Sequence, residues 1–110
     1  KRAGNAAKGG SMPIFVSLVS FTDQGIRYVK HTIDRADAFR QAAADMGVTV
    51  KDIYWTLGGY DLVIIVEAPD DETVATLFMR VGSLGNIRFH TLRCFSAEDM
   101  SRILQKIPPA

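Results

Sequence analysis

Hydrophobic residues recur along this chain with two different periods, and the switches between those periods predict its elements. Residues 14–21, 50–57, 60–67 and 87–95 are rich in Val, Ile, Phe and Tyr, the composition of extended chain on a half-buried pleated surface. Between them, Ile26, Val29, Ile33, Phe39, Ala43 and Met46 keep helical spacing, as do Val74, Leu77, Phe78, Val81 and Leu84. The punctuation agrees with these periods. Thr22 and Thr32 read as N-caps and Gly47 as a stop, with Gly25 and the β-branched Thr32-Ile33 implying a short first turn before the main helix. Asp70 caps the second helix and Gly85 ends it, while Ser96 with Asp99 forms a capping box opening a short final helix that Pro108 stops. Gly58-Gly59 supplies a tight hairpin. The order is β-α-β-β-α-β with a terminal helix, a ferredoxin-like α+β domain. Right-handed crossovers place its first and third strands in the middle of an antiparallel four-stranded sheet.

Those central strands are apolar on both faces. Ile14, Val16 and Leu18 point one way and Phe15, Val19 and Phe21 the other, while Leu62, Ile64 and Val66 oppose Val63 and Ile65. Two helices cover one face only. Each large apolar side chain left wet forgoes about 1.5–3 kcal/mol of burial, so a second copy of the sheet is the expected cover. The chain is therefore expected to form a homo-oligomer, a dimer or an assembly of dimers, built as a dimeric α+β barrel.

The chain has 110 residues, one domain's worth, and 47% hydrophobic residues suffice for a core. Residues 1–11 are Gly, Ala, Lys, Arg, Asn and Ser with nothing apolar larger than alanine, and read as an added leader ahead of a natural start at Met12. Residues 12–110 then form the single domain. The leader changes the electrostatics: the whole chain carries +1, but residues 12–110 hold ten basic and twelve acidic side chains, a net −2. No apolar run spans a bilayer, so no membrane role is expected. One cysteine, Cys94, cannot close an intrachain disulfide, which suits a reducing cytoplasm.

Candidate chemistry is sparse. His31 falls at the kink before the main helix and reads as a solvated helix residue. His90 lies mid-strand, sharing a face with Arg88, Leu92 and Cys94 opposite Phe89, Thr91 and Arg93; it is the strand residue suited to proton transfer near neutrality. Two histidines far apart and one cysteine give no metal-ligand spacing, and no cofactor is expected. Residues 82–86 end a helix rather than start one, which argues against a phosphate loop. Ser and Cys residues lack an identifiable base. The sheet also resembles RNA-binding modules, yet the negative domain charge and aliphatic central strands exclude nucleic acid as a partner.

The segment Tyr54-Trp55-Thr56-Leu57-Gly58-Gly59-Tyr60-Asp61 carries a resemblance. Its Gly59-Tyr60-Asp61 triplet, following a Tyr-Trp strand end and preceding an apolar strand, resembles the signature of the GYD domain family. Thr22-Asp23-Gln24-Gly25-Ile26, and Gly85-Asn86-Ile87-Arg88 leading to Thr91-Leu92-Arg93, are similar to further recurring segments of that family. The resemblance spans residues 13–107. It implies a ferredoxin-like fold and kinship with dimeric α+β barrels, among them cofactor-independent monooxygenases, isomerases and effector-binding domains; no settled reaction comes with it. The residues themselves also have a structural reading, with the glycines serving the turn and Asp61 bonding turn amides. The expected function is that of an oligomeric barrel binding a small organic molecule in a pocket between sheet and helices. The alternative is a cofactor-independent monooxygenase- or isomerase-like enzyme. Tyr54, Tyr60, Asp61, Arg88, His90 and Arg93 form the expected ligand-binding set, and His90 or Asp61 the catalytic base if there is one.

Overall fold

Side chains along the central strands alternate between buried and half-buried, and that alternation sets the layers. The computed structural model describes residues 12–110; the expected leader, residues 1–11, lies outside them. The elements are β1 (Ile14–Phe21), α1 (Asp23–Arg27), a 3-10 turn (Val29–His31), α2 (Thr32–Asp45), β2 (Thr49–Trp55), β3 (Leu62–Glu67), α3 (Asp71–Gly82), β4 (Ile87–Cys94) and α4 (Ala97–Gln105). The four strands form one antiparallel sheet in the order β2-β3-β1-β4, the ferredoxin-like topology with β1 and β3 in the middle.

On one face Phe15, Val19, Leu62, Ile64 and Val66 are buried against Phe39 and Ala43 of α2 and Val74, Leu77 and Phe78 of α3. Phe78 sits between Phe39 and Phe89, with ring centroids 5.5 and 5.0 Å away. Ser17 is the one buried polar residue among those described, and its hydroxyl is hydrogen-bonded to that of Thr91 at 3.0 Å. On the other face Ile14, Val16, Leu18, Val63 and Ile65 are only half-buried, shielded by neighbouring strands and, among the described residues, by no helix. α4 leaves the end of β4 and makes at most marginal contact with the sheet. Its apolar stripe, Met100, Ile103, Leu104 and Ile107, stays largely exposed.

Local chemistry accounts for the element ends. The Thr22 hydroxyl accepts from the Gly25 amide at 3.0 Å and caps α1. Asp70 accepts from the amide and hydroxyl of Thr73, both at 2.8 Å, to start α3. Ser96 and Asp99 exchange bonds of 3.0 and 2.9 Å in the expected capping box of α4.

Three local expectations need correcting. Thr32 is the first residue of α2 rather than its cap: the 3-10 turn puts His31 at the cap, and the Thr32 hydroxyl accepts from Trp55 Nε1 at 2.9 Å. Ile26, Val29 and Ile33 keep helical spacing but lie exposed, because that turn rotates them off the core. The β2–β3 connection is a six-residue loop, not a tight hairpin. The Asp61 carbonyl closes it by accepting from the Thr56 amide at 2.9 Å, and Gly58 takes φ +122°, a conformation that side chains with a Cβ rarely adopt.

Candidate functional site

The alanines of α2 leave space beneath it. Ala36, Ala38 and Ala42 face Val19, Leu62 and Ile64 across a gap that no side chain fills, a cavity of about 340 Å³ between α2, α3 and the covered face of the sheet. That is the size of a small-molecule pocket. Most of its wall is apolar, completed by Phe39, Ile53 and Val81; its polar lining residues are Thr32, Arg35, Arg80 and Asn86. Among the described residues no imidazole or carboxylate lines it. Arg35 is held in place: its guanidinium donates to the carbonyls of Tyr28 and Gly25 at 3.0 and 3.1 Å and lies 5.8 Å from the centre of the Phe21 ring. A second, wider depression adjoins Met12, the first described residue, and is lined by Arg40, Gly47 and Pro69.

The open face carries a different set. Cross-strand pairing puts His90 beside Leu18 and Arg88 beside Ser20, while Tyr54 pairs with Val63. The Tyr60 ring meets His90 edge-on with centroids 5.9 Å apart, an arrangement suited to the ring quadrupoles. The Tyr54 hydroxyl donates to Asp52 at 3.3 Å. Tyr54, Tyr60, Arg88 and His90 thus border the half-buried aliphatic patch and are themselves exposed.

The two remaining members of the expected ligand set stand elsewhere. Asp61 accepts from the Phe21 amide at 2.8 Å through Oδ2, and its own amide donates to Val19 at 2.8 Å, so its carboxylate is committed to tying off β1. Arg93 lies on the covered side, its guanidinium 5.6 Å from the Phe15 ring centre and 4.6 Å from that of Phe95, and it donates to the Cys94 carbonyl. The fold puts Tyr54, Tyr60, Arg88 and His90 on the open face, with Tyr60 and His90 in contact, while the Asp61 carboxylate is tied to β1 and Arg93 lies on the covered side.

The three segments that resemble the GYD family converge at that same end of β1. The Thr22 hydroxyl donates to the Gly85 carbonyl at 2.5 Å, the Thr22 amide to Asn86 at 3.1 Å, and Gln24 Nε2 to Leu84 and to Asn86 Oδ1 at 3.1 and 2.9 Å. At Gly25 a Cβ would stand 2.0 Å from the Asn86 carbonyl oxygen, which no side chain tolerates. These segments clasp the turn after β1, the helix exit before β4 and the loop before β3 into one joint. The joint forms one end of the cavity, through Phe21, Asn86 and Ile87.

A pocket between sheet and helices was the expected place, but none of the six expected ligand-binding residues lines this cavity, and its two arginines were not among them. The signal for the cavity was the run Ala36, Ala38, Ala42 and Ala43 opposite strands of large side chains, a mismatch in volume. Among the described residues no three His, Cys, Asp or Glu side chains converge as a metal site. No helix among them is long and apolar enough to cross a membrane.

Comparison with known proteins gives a consistent picture. The family model described as GYD domain matches residues 15–104. A curated relative from Thermus thermophilus, named glutamine synthetase and cystathionine beta-lyase binding protein, is 34% identical over 90 residues, covering 81% of this chain and 95% of the relative. The crystal structure of TTHA0845, also from Thermus thermophilus, aligns with TM-score 0.52 and 26% identity, over 78% of this chain and 96% of that one. A structure of a protein assigned to the chlorite dismutases, TA0507, aligns with TM-score 0.53 and 15% identity over 84% of this chain and 48% of its own; it shares the fold.

Proposed function

The chain belongs to the GYD domain family, and on that premise we propose that it is an oligomeric α+β barrel that binds a small organic molecule between its sheet and its helices. The observation that carries this reading is the apolar cavity of about 340 Å³, bounded at one end by the family's own recurring segments. Oligomerisation enters through the open face, where Val16, Leu18, Val63 and Ile65 lack cover that a second copy would provide. The alternative, a cofactor-independent monooxygenase- or isomerase-like enzyme, requires a base facing the substrate. Among the described residues no imidazole or carboxylate lines the cavity, and His90 stands on the opposite face, so binding without proton transfer is the better-supported role.

Methyl NMR with toluene as probe tests the cavity. The expected result is saturable shifts at Val19, Leu62, Ile64 and Val81. Shifts confined to Val16, Val63 and Ile65 on the open face, or none, would overturn it.

A second reading, a module that docks onto enzymes, draws on the relative named for binding two of them. The exposed stripe of Met100, Leu104 and Ile107 on α4 and just beyond it offers such a partner an apolar surface. Interferometry against purified glutamine synthetase separates the two: binding that Leu104→Asp abolishes supports docking, and no binding at micromolar concentration removes it.

A further inference from the structure

The polar groups that line the cavity are of one kind, and this narrows what it takes. Arg35 and Arg80 are cations. Among the described residues the ion pairs are His31–Asp34, Lys51–Glu67 and Asp99–Arg102, and neither cavity arginine takes part in one. Asn86 Oδ1 already accepts from Gln24, which leaves its Nδ2 hydrogens as the amide's unused groups. The Thr32 hydroxyl accepts from Trp55 Nε1, which leaves its proton to donate. Each of these four residues therefore keeps a hydrogen-bond donor beside the cavity, with two positive charges among them and, among the described residues, no lining carboxylate to balance those charges. The carbonyls that hold Arg35 fix its geometry without cancelling its charge. Arg80 sits in the last turn of α3, where it also offsets the negative end of that helix. The rest of the wall, from Val19 through Ala42 to Ile64, is apolar.

We infer that the cavity takes an apolar organic acid, its carboxylate held by Arg35 and Arg80 and its hydrocarbon body lying between the alanine face of α2 and the sheet. Planar guanidinium groups match a carboxylate in charge and in donor geometry. A cationic ligand is disfavoured by the two arginines, and an uncharged one leaves their charge without a counterpart. This inference rests on the ligand-binding reading above and assigns that site its ligand class.

Calorimetric titration of the full chain with octanoate and with 1-octanol tests it, because the two probes share a hydrocarbon body and differ in charge. Octanoate is expected to bind about tenfold or more tightly than octanol, the usual worth of a charge-assisted hydrogen bond. Arg80→Gln is expected to erase most of that difference, and Ala42→Phe, which fills the space, to abolish binding of both while an unchanged circular dichroism spectrum confirms the fold. Equal affinity for the two probes would overturn the acid assignment and leave the cavity as a neutral-ligand site. Binding of neither would overturn the ligand-binding reading itself. Octanoate binding that survives Ala42→Phe unchanged would place the acid elsewhere and overturn the inference.

Discussion

The two faces of the sheet are built from the same four strands and reach different ends. On the covered face Phe15, Val19, Leu62, Ile64 and Val66 disappear beneath α2 and α3. On the open face Ile14, Val16, Leu18, Val63 and Ile65 are as hydrophobic, yet stay half-exposed inside a frame of Tyr54, Tyr60, Arg88 and His90. Hydrophobicity of the strands therefore does not decide which face closes; the number of helices does. Among the described residues the two longest helices, α2 and α3, are the ones that pack on the sheet, and both cross on one side. The covered face is also less completely filled than its residues suggest, because α2 presents alanine where α3 presents Leu77 and Phe78. Internal packing thus belongs to the covered face, which also holds the cavity, and the proposed assembly surface to the open one.

The strongest test of that separation compares truncations. Phe78→Ala removes the ring that joins Phe39 to Phe89 and is expected to cost about 3–5 kcal/mol in urea unfolding. A loss below about 1 kcal/mol would mean that the covered face is not the seat of stability. On the open face, Ile65→Lys is expected to leave the spectrum of the folded chain intact while removing the dependence of melting temperature on protein concentration. A melting temperature that stays concentration-dependent in this variant would place the subunit contact elsewhere.

Next in size come the joints that hold both faces in register. Gly25→Ala drives a methyl group into the Asn86 carbonyl and is expected to cost about 1–3 kcal/mol. Asp61→Ala, which strips the Phe21 amide of its acceptor, is expected to cost about as much, about 1–3 kcal/mol. Wild-type stability in both would show that the clasped segments are not structural and would return Asp61 to the list of ligand contacts.

Much of this architecture was legible in the sequence, for identifiable reasons. Two-sided apolar strands can be read because the period of two is strict, so Val63 and Ile65 must oppose Leu62 and Ile64. The caps at Asp70 and Ser96 can be read because side chain and amide are three residues apart. Thr32 misleads because a 3-10 turn, invisible to spacing, shifts the start of α2 by one residue and frees the hydroxyl for Trp55. The loop at Gly58 misleads because two glycines permit a tight turn without requiring one. The candidate site was half legible: strand alternation placed Arg88 and His90 on one face, but the approach of Tyr60 to His90 depends on the loop before β3. The family resemblance pointed to a pocket between sheet and helices, but its lining was out of reach, since it depends on side-chain volume shared among α2, α3 and all four strands.

The smallest expected effect concerns the cap that starts α3, the helix closing the covered face. Hydrogen bonds from the Thr73 amide, and then from its hydroxyl, hold the Asp70 carboxyl below its usual value of 3.8. The charged form is the one favoured in the fold. Its contribution is therefore complete above the unfolded value and disappears as pH falls through the lowered folded value. Asp70→Asn, which still accepts a hydrogen bond but does not titrate, is expected to flatten the fall of the urea midpoint below about pH 4. An unchanged slope would assign that acid sensitivity to other carboxylates.

Sedimentation velocity on the wild-type chain at micromolar concentration tests directly whether a second copy closes the open face. The predicted result is a principal species of about twice the 12.1 kDa chain mass, or a multiple of that dimer, shifting toward the single chain on dilution and with Ile65→Lys. A single species near 12.1 kDa at every concentration would contradict it.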